Sequence, residues 1–255
     1  AARDGIGISA MGLGHDWNDQ FLDEIASKTG GSSEYITSAG GVVRFLNDHV
    51  RNLSSAFAER VRLSIAPDSD IVLESAFKLA PHPQPLEFEN GELLLGGLQQ
   101  NRPISVLLQV QMPSGMKDGP RGVVRLVASG DILSNRNQQH TSSCDVSLDI
   151  SSSVDEEIES PPGAILDALS KLTLYRLQER AQQALEHGDV TEATRRLENL
   201  ATRLLAMGQD DLAGQAMTEA RRVAHTKELS DRGRKTLKYQ TRYLLTGMYD
   251  EDPSQ

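Results

Sequence analysis

Cysteine is almost missing from this chain. Cys144 stands alone among 255 residues, so no intramolecular disulfide can form and the fold does not depend on an oxidising compartment. The expected location is therefore cytoplasmic. No run of about 18 apolar residues occurs, which excludes a bilayer-spanning helix. Positive charge is in deficit: 26 Lys and Arg face 36 Asp and Glu, for a net charge of −10. A mean field of that sign repels polyanions and argues against a chain-wide surface for nucleic acid or anionic membrane. Aromatics are sparse at 4%, but 38% hydrophobic and 24% charged residues are ordinary proportions for a globular chain and do not suggest global disorder. An initiator methionine is also lacking, and any leader or anchor is expected in sequence preceding Ala1-Ala2-Arg3. The sequence carries no Walker loop, His-Glu-x-x-His, paired-cysteine zinc motif or Gly-x-Ser-x-Gly elbow. No enzyme is expected.

What is present divides into segments of different periodicity. Gly5 to Gly14 predicts a buried strand ending in a Gly-x-Gly turn. A helix capped by Asp16 or Asn18 follows, with Phe21, Leu22, Ile25 and Ala26 on one stripe and Gly30-Gly31 as its stop. Tyr35-Ile36-Thr37 predicts a short strand, and apolar residues at 42, 43, 46, 50, 53 and 57 a second helix. Two short strands cannot cover two helices, so residues 1–58 read as part of a larger α/β layer. From 59 to 152, six or seven strand-like runs separated by turn residues predict a β-sandwich, with Asn90-Gly91 the sharpest turn and the Pro81 to Pro85 run at an edge or connection. Residues 153–161 have the acidic, proline-containing composition of a linker. Residues 162–248 predict amphipathic helices, with a period of 20 in which Ala181, Leu185, Gly188 and Ala193 recur as Ala201, Leu205, Gly208 and Ala213; a tetratricopeptide-like stacking is expected. A tail occupies 249–255. The expected fold class is thus multidomain α+β: an incomplete Rossmann-like α/β part, an antiparallel sandwich, then helical hairpins.

The first segment resembles the end of a von Willebrand factor A (VWA) domain. The family's penultimate strand, Gly-Ile-x-Ile followed by Gly-x-Gly, is matched by Gly5-Ile6-Gly7-Ile8 and Gly12-Leu13-Gly14. Its following helix is matched by Asn18, Leu22-x-x-Ile25-Ala26 and Gly30-Gly31, and its next strand by Tyr35. Leu95-Gly96-x-Leu98, Leu172-x-x-Tyr175, Gly188-Asp189 and Lys235 to Arg242 are similar to bacterial VWA proteins with a small sandwich and a helical end. The resemblance implies a protein-binding scaffold using a magnesium ion held by an Asp-x-Ser-x-Ser loop, a Thr and an Asp. All three loops are expected before Ala1, so this chain itself is expected to hold no metal or cofactor.

One stretch matches that loop literally: Asp149-x-Ser151-x-Ser153. Its setting, a strand running into an acidic linker, favours a structural reading. Gly12-Leu-Gly14 lacks the third glycine of a dinucleotide loop, since position 17 is Trp. His15, His49, His82, His140, His187 and His225 show no ligand spacing and read as surface or cap residues. Cys144 reads as a buried strand residue. The basic group Arg221-Arg222, Lys227, Arg232, Arg234-Lys235, Lys238 and Arg242 reads as a solvated helix face, with Tyr239 and Tyr243 turned inward.

The expected function is a protein–protein interaction scaffold with an unidentified protein partner. The alternatives are a non-catalytic subunit of an ATPase or chelatase-like assembly and a helical-repeat adaptor. Lacking much of a covering layer, Ile6, Ile8, Met11 and the two helices are expected to expose apolar surface, which makes residues 1–58 the least stable part.

Overall fold

The computed structural model describes residues 1, 6–14, 16–134, 138–151 and 160–246. They form two compact units, Ala1–Gly12 with Asn18–Ser160, and Leu13–Trp17 with Pro161–Gln255.

The first unit begins with strand β1 (Ala10–Leu13), helix α1 (Asp19–Thr29), strand β2 (Ser33–Ile36) and helix α2 (Ala39–Ser54). Asn18 caps α1 by accepting the Phe21 amide at 3.0 Å, and Ser38 caps α2 by accepting from Gly41. Gly30 ends α1 at φ 73°, a conformation that costs glycine nothing. β1 and β2 form a two-stranded sheet, shorter at its start than the sequence pattern from Gly5 suggests. α2 stops at Ser54, and Phe57 opens the next strand instead of closing the helical stripe.

Seven strands follow: β3 (Ala56–Pro67), β4 (Val72–Ala80), β5 (Gln84–Leu86), β6 (Glu92–Gln99), β7 (Ser105–Gln111), β8 (Gly119–Ile132) and β9 (Gln138–Ile150). Their pairings are antiparallel, in one sheet of order β6-β3-β8-β9 and another of order β5-β4-β7. At the expected Asn90-Gly91 turn between β5 and β6, both residues adopt positive φ, 53° and 81°, and fold the chain between Glu89 and Glu92. Pro85 sits in β5, an edge strand, where its missing N–H breaks no central ladder. Both sheets contribute to one core, with Ile65, Leu93, Leu95 and Val124 from the larger meeting Ala76 of β4 and Leu86 of β5 from the smaller.

The second unit contains α3 (Gly163–Glu186), α4 (Val190–Ala206), α5 (Asp210–Thr226) and α6 (Asp231–Tyr243). The 20-residue repeat is visible in its geometry. Gly188 and Gly208 turn at φ 77° and 73°, while Ala181, Ala193, Ala201 and Ala213 are all buried among Leu197, Leu200 and Leu204. Small side chains at these positions let the helices approach closely. The repeated leucines are not equivalent: Leu185 packs against this core and Leu205 is exposed.

Candidate functional site

The first unit holds a cleft of about 500 Å³ among β3, β4, β6, the end of α1 and the later turns of α2. Its floor depends on close backbone contact. A Cβ on Gly96 would lie 2.0 Å from the Gly30 carbonyl oxygen, and one on Gly31 would lie 2.0 Å from the Ile8 carbonyl oxygen. Only glycine permits α1 to end against β6 in this way. The Gln84 side-chain amide donates to the Gly31 carbonyl at 2.9 Å and ties β5 to the same corner.

Lys78 is the unusual residue of the cleft. It lies on β4 opposite Gln84 of β5 and Val106 of β7, and is 3% exposed. No carboxylate or hydrogen-bond acceptor compensates it among the described residues, and desolvation alone lowers its pKa to about 8. A buried cation in that state destabilises the fold it belongs to.

Two imidazoles border the same space. His49, on α2, has Nδ1 2.8 Å from the Phe45 carbonyl oxygen. A carbonyl only accepts, so Nδ1 carries a proton and donates this bond. His82 places Nδ1 3.3 Å from the Glu34 carboxylate, and the two rings stack with centroids 6.3 Å apart. The cleft's guanidinium groups are already engaged: Arg60 pairs with Asp131, and Arg62 Nη1 lies 3.4 Å from Glu92.

The sequence reading placed His49 and His82 at the surface or in caps, whereas both are half-buried beside the cleft, and it did not single out Lys78. His49 and His82 are 33 positions apart with no shared periodicity, so only the fold brings them together. Lys78 did leave a signal: it interrupts the apolar run Ala76-Phe77-Lys78-Leu79-Ala80 and, at period two, shares the buried face of Ala76.

The residues singled out from sequence fall elsewhere. Asp149 is an exposed member of β9 opposite Pro120, Ser151 lies just past the strand, and Ser153 is outside the described residues. Among the described residues no group of three or more His, Cys, Asp or Glu is placed to hold a metal ion. Cys144 is exposed, contrary to the buried position expected, because the whole β9 edge strand from Gln138 to Asp149 is exposed. His140, His187 and His225 are exposed, and His15 lies outside the described residues.

The basic group on the last helices also differs from expectation. Lys235, Lys238 and Arg242 are buried in the second unit. Lys235 Nζ donates to the Trp17 carbonyl at 2.6 Å and lies 4.6 Å from the indole centroid. Arg242 lies over Tyr175 and Tyr239, 5.2 and 5.0 Å from their ring centroids, and Arg242 Nη2 donates to Tyr175 Oη at 3.2 Å. Burial pushes the Tyr175 phenol well above its ordinary range, so it stays protonated and donates to Glu179 at 2.6 Å. These cations hold the helices together through aromatic faces. Arg221, Arg222, Lys227 and Arg232 remain on the exposed side.

Comparison with known structures defines the class as a VWA-like fold. A von Willebrand factor type A protein from Catenulispora acidiphila superposes with a TM-score of 0.65 at 12% identity, over 92% of this chain and 57% of its own. The human COPII-coat protein Sec24c gives a TM-score of 0.52 at 11% identity, over 96% of this chain and 32% of its own. The ArnB paralog VWA2 from Sulfolobus acidocaldarius aligns at 13% identity with a TM-score of 0.46, covering 93% of this chain and 55% of its own. The chain thus spans little more than half the length of the first of these, and at such identities the likeness is one of fold. Residues 163–247 match the family described as "Sll0103-like, C-terminal alpha-helical domain". No curated protein matches the sequence. The molecule therefore has a mixed α/β, VWA-like fold followed by a helical C-terminal domain. No described helix is long and apolar enough to cross a membrane.

Proposed function

We propose that the chain is the non-catalytic C-terminal part of a larger bacterial VWA scaffold in the cytoplasm. In this reading, preceding sheet covers the outer face of α2, and a divalent cation held by that preceding part binds the partner protein. The supporting observation is the α2 surface. Val43, Leu46, Val50 and Leu53 recur at steps of three and four residues, the spacing of a stripe meant for burial, yet all four are exposed and Leu53 reaches 79%. Ile6, Ile8, Met11 and Leu13 are also exposed beside or within β1. A contiguous apolar stripe of this kind marks an interface. The VWA-like fold, matched over 57% of its neighbour's length, supplies the natural occupant, further strands of the same sheet.

The test compares this chain with a version extended by its upstream genomic sequence. Amide exchange in α2 is expected to slow strongly in the longer protein, and partner capture by it is expected to require magnesium. Unchanged α2 exchange sinks the covering layer. Capture unaffected by a chelator sinks the cation.

A further inference from the structure

We propose that the cleft around Lys78 is a binding site for a monoanionic carboxylate with an apolar body. This does not rest on the scaffold reading, because every residue involved lies within the first unit.

Three features converge on this ligand class. The volume, about 500 Å³, falls within the range of small-ligand pockets, on the order of 300–1,000 Å³. The walls supplied by Leu95, Leu98 and Ile104 are apolar and suit a hydrocarbon or side-chain body. The charged centre is one buried ammonium without a compensating carboxylate among the described residues, which an incoming carboxylate would satisfy through a charge-assisted hydrogen bond. With Arg60 and Arg62 already committed to Asp131 and Glu92, a single positive group is on offer. That matches one negative charge better than the two of a phosphate monoester, whose second charge would be buried uncompensated. The stacked His49 and His82 rings border the site.

The carboxylate could belong to a free acid or to the C-terminus of a peptide, and the probes separate these sources. Octanoate, N-acetyl-leucyl-leucine and its uncharged C-terminal amide are titrated into the full 255-residue chain by calorimetry. At least one acid is expected to bind: octanoate alone indicates a small acid, and the peptide acid a chain terminus. Against the amide, the peptide acid should gain about tenfold or more, the scale of one buried charge-assisted hydrogen bond. Lys78→Met should lose the same factor. In the wild-type chain, where no variant need fold, the Lys78 ε-methylene resonance should titrate at higher pH with the bound acid than without it. The proposal is overturned if no acid binds at millimolar concentration, if the amide binds as well as the acid, if Lys78→Met binds unchanged, or if the titration does not move.

Discussion

Gly96 and Gly30 meet backbone to backbone, so closely that a Cβ on either would fall inside the other's main chain, 2.0 Å from Gly30 O in one direction and 2.7 Å from Gly96 N in the other. Both also sit at positive φ, 87° and 73°. Gly96→Ala therefore faces a rigid clash and a strained backbone together, and neither is relieved by a rotamer change. A loss of about 2–4 kcal/mol is expected, the range of severe single substitutions. Gly91→Ala is the control. It shares the positive φ but has open space around it, and should lose only about 1 kcal/mol. Urea denaturation of the two variants measures the difference, and equal losses would refute the contact.

Lys78 makes stability depend on pH in a definite direction. Its folded pKa, lowered to about 8 from the ordinary 10.5, means that between these values the unfolded chain binds more protons at this site. Stability from this group therefore rises with pH across that window. Below about pH 8 both states are protonated and the full penalty applies, on the order of 3 kcal/mol. Lys78→Met should accordingly be more stable than wild type at neutral pH, with the advantage shrinking as pH climbs from about 8 to 10.5. Taking the difference between the two proteins cancels the other titrating groups. A variant less stable than wild type at neutral pH would show that the ammonium is compensated.

The sequence announced backbone chemistry more clearly than side-chain fate. Asn90-Gly91, Gly188 and Gly208 were legible because a turn with positive φ leaves few residue choices. All four C-terminal helices were legible from apolar spacing, since that spacing is local. The burial of Lys235, Lys238 and Arg242 was not, because it depends on Trp17 and Tyr175, far away in sequence. The cleft was illegible for the same reason: His49, Lys78 and His82 become neighbours only after β4 is paired and α2 has turned. Phe57 shows a different limit, as its position continues the helical stripe while the chain has already entered β3.

Glu219 anchors the start of α6 from α5. Its carboxylate accepts the Ser230 amide at 2.8 Å and the Ser230 hydroxyl at 2.5 Å, while Ser230 caps the helix by accepting from Gly233 at 2.9 Å. Glu219→Ala leaves a buried donor without its acceptor and should cost about 1–3 kcal/mol. Gly233→Ala should cost a comparable amount, because its Cβ would lie 2.2 Å from a Glu219 carboxylate oxygen. Together the two changes should cost less than the sum, since removing the carboxylate clears the space the methyl needs. Strict additivity in a double-mutant cycle would argue against a shared network.

Cys144 is exposed on β9 and free, so it should react with a thiol reagent in the native state at a rate near that in denaturant. Slow native labelling would mean that another chain covers this edge, because an exposed strand edge is a template for pairing.

The α2 stripe yields the opposite pattern to a core. Val50→Lys and Leu53→Lys replace side chains that are 65% and 79% exposed, so each should change the stability of this chain by no more than about 0.5 kcal/mol. A buried partner on the same helix, Phe45, should behave otherwise: Phe45→Ala is expected to cost about 3 kcal/mol or more. The lysine variants should also weaken binding of a hydrophobic dye and any concentration-dependent association, since both depend on the contiguous apolar surface. In a longer protein whose sheet covers α2, the same lysines would be buried without partners, and the loss should grow to several kcal/mol. Equal tolerance in both lengths would separate the stripe from the covering layer proposed for it and leave it as an ordinary surface of this chain.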